Sequence, residues 1–195
     1  MATVATPMGA EPVDTLSASG SFSGKVRHIK IANAYGTAIF YGDFVKLVAA
    51  GTVEKAAVTT SVVAGTVGIF VGCAYTDPST NQMTFNQQFP ASTAADDIVA
   101  YVVDDPKLLF RMQGDEAIAQ TGLGNNISAV NTAGSTSIGR SKNALDGGSI
   151  ATTNTLPLRV VDFVDGPSST VGDAFTDCIV TYLPLSHAYE TKLGV

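Results

Sequence analysis

The sequence predicts an all-β fold, either a β-barrel or a β-sandwich, with one short helix and an extended N-terminal arm. Two observations predict the β class. About ten short segments rich in β-branched and aromatic residues follow one another along the chain, separated by turn residues roughly every 8–12 positions. Several of these segments alternate apolar and polar side chains, as a half-exposed strand does. At 195 residues the chain fits one domain, or one domain with an arm.

Residues 1–24 are predicted to form the extended arm, and residues 25–195 the β-rich body. The first segment contains no Lys or Arg and is rich in Ala, Thr, Ser, Gly and Pro. Pro7 and Pro12 disfavour a helix, and the segment has too few apolar side chains to build a core of its own. Two interpretations stay open: a disordered tail, or an arm that becomes ordered only against a neighbouring subunit.

The first part of the body is predicted to consist of consecutive strands. In the earliest one, Ile29 and Ile31 lie on one face while His28 and Lys30 lie on the other. Turn residues such as Gly and Asp break the next segments, and a proline after two aspartates ends a later one. The predicted strands cover residues 26–31, 38–41, 44–48, 53–57, 67–75, 83–89, 98–103 and 107–113.

After residue 114 the character of the sequence changes. Residues 115–120 are the best helix candidate, because Asp115 and Glu116 would place negative charge in the first turn. Residues 125–154 are rich in Asn, Ser, Gly and Thr, which predicts loops with short extended pieces. Two closing strands are predicted over residues 156–164 and 175–183.

The composition argues against two classes of partner. The chain has 45% hydrophobic but only 14% charged residues, so its surface must be largely neutral and polar. Its net charge of −6 makes a basic nucleic-acid footprint improbable, and we expect no nucleic-acid partner. No apolar run of about 18 residues exists, and we expect no membrane partner. A charge-poor surface suits a protein that meets other proteins over a large area.

The residue types used in catalysis are present without a recognisable arrangement. His28 and His187 have no Cys or His partner at metal-ligand spacing. Cys73 and Cys178 lie in apolar segments, which favours buried free thiols over a disulfide. No Gly-x-Ser-x-Gly motif occurs, and the glycine-rich stretch at residues 65–72 lacks the Gly-Lys-Ser/Thr ending of a phosphate-binding loop.

Two pairs of aspartates flank one predicted strand, at positions 96–97 and 104–105. Such pairs could bind Ca²⁺, but their spacing is unlike that of an EF-hand, and solvated loop ends are the favoured interpretation. The sequence therefore predicts no catalytic, cofactor-binding or metal-ligating residue, no cofactor and no enzymatic activity.

Several stretches of the chain resemble the capsid decoration (cement) proteins of tailed bacteriophages. The central part carries "GIFVGCAYTD", "FNQQFPAST", "DIVAYVVDDP" and "LLFRMQGD", and the early part carries "YGTAIFYGDFVKLVAAGTVEKA". Late stretches with the same likeness are "GRSKNALD", "TLPLRVVDFVDGP" and "GDAFTDCIVTYLPLSHAY". Together these patterns span most of residues 25–190, and they are packing and turn patterns rather than catalytic signatures.

The resemblance implies a virion protein on the outer capsid surface. It implies that residues 25–195 bind the major capsid protein, bridge its subunits and stabilise the DNA-filled head. It also implies self-association, with a homotrimer favoured over a dimer. Loops at residues 78–82 and 125–141 are the expected contact surfaces, since loops on a rigid sheet commonly carry recognition. Two other interpretations stay open: a tail or head-fibre subunit or host-surface-binding β-domain, and a hydrolase with a scattered active site.

Overall fold

The computed structural model describes residues 4–17, 22, 24–59 and 65–191. Within them, twelve strands form two antiparallel six-stranded sheets, and neither sheet closes into a barrel. The predicted all-β class is confirmed, and of the two predicted architectures the structure has the β-sandwich.

The first sheet has the strand order β1-β8-β12-β11-β9-β10. Its strands are β1 (Glu11–Thr15), β8 (Leu108–Gln113), β9 (Asn126–Val130), β10 (Ala144–Ala151), β11 (Leu158–Phe163) and β12 (Asp177–Tyr182).

The second sheet has the order β2-β7-β5-β3-β4, and β6 pairs with the far half of the long strand β5. Its strands are β2 (Arg27–Lys30), β3 (Phe44–Leu47), β4 (Val53–Lys55), β5 (Thr66–Thr76), β6 (Met83–Asn86) and β7 (Val99–Val103).

Two hydrophobic clusters lie on opposite faces of the second sheet. The first fills the space between the sheets, where the rings of Phe44, Phe110 and Tyr182 pack with centroids 5.1–6.0 Å apart. The second lies on the other face, around Phe70 and its neighbours. An isolated bridge joins Ile31 to Val53, so the two edges of the second sheet curl towards each other around this cluster. Strand β5 contributes side chains to both clusters and is buried on both faces.

A close approach of backbones fixes where β5 meets its neighbour β7. A Cβ added at Gly68 would lie 2.1 Å from the carbonyl oxygen of Val103. Glycine is therefore required at this position for steric reasons.

A buried carboxylate ties three segments of the chain together. Asp43, which is fully buried, accepts hydrogen bonds from the Ser141 hydroxyl (2.6 Å), the Asn143 amide (3.2 Å) and the backbone N–H of Phe40 (2.9 Å). The Lys55 ammonium lies 2.8 Å from its second oxygen. Each carboxylate oxygen of Asp43 therefore has two partners within the protein, although it is shielded from water. A buried ion pair is tolerated only when its polar atoms are satisfied in this way.

Most of the predicted strands are confirmed. Strands β2 to β8 and the closing strands β11 and β12 lie within, or one residue beyond, the predicted segments. The exception among them is the predicted strand at residues 38–41, which forms only isolated bridges, from Ile39 to Phe89 and from Tyr41 to Arg140.

The predicted helix at residues 115–120 is wrong. Asp115 donates its backbone N–H to the carbonyl of Leu145, and Gly114 forms a bridge with the same residue, so tertiary pairing takes the groups a helix would use. The nearest helical element is a single 3₁₀ turn at Gln120–Gly122.

The prediction of loops over residues 125–154 is also wrong in part. Strands β9 and β10 occupy much of this range and pair with each other. Their polar residues are satisfied by side-chain hydrogen bonds: Asn126 accepts from the Arg159 guanidinium at 3.0 Å, and Ser128 donates to Asp146 at 3.3 Å.

The predicted boundary between arm and body at residue 24 differs from the structure. Strand β1 pairs with β8 of the same chain, so part of the arm is an edge strand of the first sheet. Ala10 is fully buried and donates its N–H to Gly42 at 2.9 Å, and Phe22 packs against the cluster between the sheets. Pairing with β8 supplies the core contacts that the segment lacks on its own. Residues 1–3, 18–21 and 23 of the predicted arm lie outside the described residues.

Candidate interaction surface

The two histidines occupy different environments and neither forms a catalytic pair. His28 is exposed on β2, with its ring 4.7 Å from that of Tyr101. His187 is fully buried between the rings of Tyr182 and Tyr189, at 5.3 and 5.2 Å. Its Nδ1 accepts the backbone N–H of Tyr189 at 3.3 Å, and burial lowers its pKa below the ordinary value. His187 is therefore a neutral packing residue at neutral pH.

The segment that follows His187 is fastened to the end of β7 by a polar cluster. The Tyr189 hydroxyl donates to the Asp104 carboxylate at 3.2 Å, and Asp104 also forms an ion pair with Arg27. The Arg27 guanidinium lies 5.3 Å from the Tyr189 ring centre. Burial, followed by the negative charge of Asp104, raises the pKa of Tyr189. The Tyr189 hydroxyl is thus held in its neutral form against a carboxylate acceptor, and the contact joins the C-terminal segment to the end of β7.

The remaining aspartates of the two predicted pairs also hold loops. Asp97 accepts the Thr76 hydroxyl at 2.6 Å and the Thr76 N–H at 3.1 Å, and these hydrogen bonds lower the pKa of Asp97. Asp96 accepts from the side-chain amide of Asn33 at 2.6 Å, and Asp105 accepts the N–H of Lys107 at 2.8 Å. The protein itself thus supplies hydrogen-bond donors to these three carboxylates.

One acidic cluster in the described part of the chain was not predicted from the sequence. Oxygen atoms of Asp115, Glu116 and Asp146 lie within 4.8 Å of one another. The first two are solvent-exposed, and Asp115 already accepts the N–H of Gly147 at 3.1 Å. The sequence shows Asp115 and Glu116 side by side, but it does not show that Asp146 lies near them. Asp146 belongs to β10, which was not predicted as a strand. Exposed acidic groups of this kind are common without an ion, and we assign the cluster no function.

Both cysteines are buried and free, as predicted. Cys73 belongs to the cluster inside the curled sheet, and Cys178 belongs to the cluster between the sheets. Burial raises the pKa of each thiol to about 12, so neither is a thiolate at neutral pH.

The most distinctive surface surrounds β6. The side chains of Met83 and Phe85 are 59% and 72% exposed and lie on the same face of the strand. The β5–β6 hairpin precedes them, and a loop from β9 reaches the other end of the strand, where Gly139 approaches the side chain of Gln87. Ile138 in this loop is 56% exposed. The structure therefore places the predicted loop at residues 78–82 and the last part of the loop predicted at 125–141 at the two ends of β6.

We name residues 78–87 and 131–139 the uncharged surface. No Asp, Glu, Lys or Arg occurs between positions 79 and 95 or between positions 117 and 139. The surface thus combines exposed apolar side chains with neutral polar loops. The exposed Met83 and Phe85 were not predicted, since alternation shows that a strand has two faces but does not show which face other elements cover.

Comparison of the chain with protein-family models, curated proteins and solved structures finds no match. None of the described segments forms a helix of the length and apolar character needed to cross a membrane.

Proposed function

We propose that this protein is a structural component of a tailed-bacteriophage virion that binds the outer surface of the capsid. It would bridge subunits of the major capsid protein, act as a homo-oligomer and stabilise the DNA-filled head. The observation that carries this proposal is the uncharged surface, read together with the resemblance of the sequence to capsid decoration proteins.

The uncharged surface suits a contact with another protein for an energetic reason. Burying an unpaired charge costs several kcal/mol, so a surface without charges can be covered without that cost. Exposed apolar side chains such as Phe85 and Ile138 gain from being covered. Neutral amides and hydroxyls in the two loops can exchange water for partner groups with little loss.

The sandwich behind this surface gives it rigidity. Loops that extend from a packed sheet are held in position, so little conformational entropy is lost on binding. The hairpin at residues 77–82 is itself fixed, because Asp77 accepts the N–H and hydroxyl of Ser79 and donates its N–H to Gln82.

A stabilising role follows from mass action. Packaged DNA pushes outward, and the contacts between capsid subunits are where a shell separates. A protein that binds the assembled lattice more tightly than separate subunits shifts the equilibrium towards the intact shell. The net charge of −6 is consistent with a position outside the capsid, since a chain of net negative charge is repelled by the phosphates of the genome.

The experiment compares heads that contain the protein with heads that lack it. DNA release on heating should occur at a lower temperature in heads without the protein, and added purified protein should restore the higher temperature. Equal release temperatures would contradict the stabilising role. Mass spectrometry of separated heads and tails tests the location, and finding the protein in tails would favour a tail or fibre subunit instead.

A pair of variants tests the surface. Ile138→Glu introduces a charge into the uncharged surface, while Leu185→Glu introduces the same charge at a side chain of equal exposure (55%) outside it. Ile138→Glu should weaken binding to heads by about tenfold or more, since tenfold corresponds to about 1.4 kcal/mol and burying an unpaired carboxylate costs at least that. Leu185→Glu should bind like the wild type.

A further inference from the structure

The outer edge of β6 lacks the protection that the other edge strands have. Exposed strand edges tend to pair with other chains, and proteins commonly block them with charges or proline. Strand β6 has neither. Each of the other edge strands in the described part of the chain carries charged residues: Glu11 and Asp14 in β1, Arg27 and Lys30 in β2, Glu54 and Lys55 in β4, and Asp146 in β10.

The hydrogen-bond pattern shows which groups of β6 are free to pair. Thr76 donates its backbone N–H to Asp97, on the side of β7, so it does not donate to its β6 partner Met83. Because hydrogen-bonded and non-hydrogen-bonded pairs alternate in an antiparallel ladder, Thr84 bonds to β5 while Met83 and Phe85 do not. The backbone N–H and C=O groups of Met83 and Phe85 therefore point outward from the sheet edge.

We propose that β6 pairs in antiparallel fashion with β6 of a second copy of this chain, about a two-fold axis at Thr84. In this register, Met83 of each copy lies opposite Phe85 of the other copy. There are two such pairs, related by the two-fold axis. In each pair, the outward-pointing N–H and C=O groups of Met83 and Phe85 form two backbone hydrogen bonds. The result is a continuous sheet across two molecules.

The side chains fit this arrangement. Met83 and Phe85 lie on the same face, so the two-fold pairing places each phenylalanine ring beside a methionine thioether of the other copy. Sulfur–aromatic contacts and cross-strand apolar pairs both stabilise sheets. The strand is four residues long, and the loop at Gly139 packs beside Gln87, which disfavours registers centred further along the chain.

The absence of charge favours a second copy as the occupant. A two-fold axis brings each residue close to the symmetry mates of its own neighbours, so a charge near the axis would face an equal charge. The stretch from position 79 to position 95 has none. This inference refines the self-association in the proposed function, on which its biological role rests, and it favours a dimer contact over the trimer that the resemblance implied.

A cysteine cross-link tests the register directly. Residues opposite each other in a non-hydrogen-bonded antiparallel pair have Cα atoms about 4.5 Å apart, which a disulfide can span. Thr84→Cys should therefore form a covalent dimer on mild oxidation. Thr80→Cys, in the hairpin, should not, because the two copies of position 82 would already be about 14 Å apart at about 3.4 Å per residue and position 80 lies beyond them in the turn. The native thiols, Cys73 and Cys178, are buried in the folded protein, and alkylation of free thiols as the sample is denatured keeps them from cross-linking on the non-reducing gel.

Sedimentation of the free protein, without heads, measures the equilibrium. The wild type should show a reversible dimer, and Phe85→Lys should weaken it by about 100-fold or more, because a two-fold contact loses the side chain twice and gains two like charges on diagonally neighbouring positions about 7–8 Å apart. Leu185→Lys, at a side chain 55% exposed outside the surface, should match the wild type. Thermal melts of both variants confirm that they fold.

The outcomes separate this inference from the proposed function. A wild type that stays monomeric at millimolar concentration, or a Thr84→Cys variant that does not cross-link, overturns the pairing. If the wild type is monomeric but still binds heads, and Phe85→Lys abolishes that binding, then the outer edge of β6 contacts the capsid. In that case the proposed function stands without the pairing. A dimer that does not bind heads supports the pairing and overturns the proposed function.

Discussion

Replacing Asp43 by alanine should be among the most damaging single substitutions in this protein. The change removes the acceptor for three hydrogen bonds and leaves the Lys55 ammonium, only 12% exposed, without its counter-ion. Removing one partner of a buried ion pair costs about 3–5 kcal/mol. The unfilled donors of Ser141 and Asn143 add to this cost. A domain is typically stable by about 5–15 kcal/mol, so the variant should lie near the limit of folding.

A second substitution shows how much of the lost free energy of unfolding comes from the unpaired Lys55 ammonium. Lys55→Met should destabilise the wild type, because Asp43 then lacks its counter-ion. In the Asp43→Ala background the same change should stabilise the protein, since it removes the unpaired ammonium and keeps an apolar side chain of similar length. Urea unfolding of the four proteins, followed by circular dichroism, gives the free energies of unfolding.

A partly exposed ion pair, in which the Lys107 and Glu190 side chains are 53% and 22% exposed, provides the control. Lys107 and Glu190 lie 3.2 Å apart, and the Lys107 side chain is mostly exposed. Glu190→Gln should therefore cost less than about 1 kcal/mol. The reasoning is refuted if Asp43→Ala costs no more than Glu190→Gln, or if Lys55→Met lowers stability by the same amount in both backgrounds.

Three further predictions follow from single sites. Burial lowers the pKa of His187 in the folded state, so the unfolded state binds more protons below about pH 6.5 and stability should fall as the pH drops towards 5. His187→Gln should flatten this slope in urea titrations across pH, and an unchanged slope would contradict the assignment. Gly68→Ala should cost about 3 kcal/mol or more because its methyl group meets a carbonyl, whereas Gly36→Ala, whose Cβ meets nothing within 4 Å, should change the melting temperature little. Both cysteines should resist a thiol reagent in the native protein and react as two free thiols in denaturant, and a count of none would show a disulfide.

The sequence was sufficient for the strands whose side chains alternate or are uniformly apolar. Strands β5, β7 and β12 are rich in Val, Ile and aromatic residues, and their burial follows from composition. Strand β9 could not be found in the same way, because Asn126 and Ser128 are buried polar residues. Their partners, Arg159, Asp146 and Ser149, are brought near only by the tertiary fold.

The false helix has a similar cause. A segment of six residues gains little from helix formation alone, so a competing contact decides its conformation. Here the backbone of Asp115 pairs with Leu145, which is remote in sequence. The loops of the uncharged surface were predicted as loops, but the exposure of β6 was not, since no local pattern shows that Met83 and Phe85 are left uncovered by the rest of the fold.

The position of β12 has a consequence for how the chain is made. This strand lies in the interior of the first sheet, between β8 and β11, and its residue Asp177 pairs with Arg111, 66 positions earlier. During translation, β8 and β11 are both synthesised before β12, so each lacks its neighbour on one side until β12 has left the ribosome. Long-range pairing of this kind slows folding and leaves unpaired strands exposed to other nascent chains. The first sheet is therefore expected to be completed only after β12 has been synthesised and has inserted between β8 and β11.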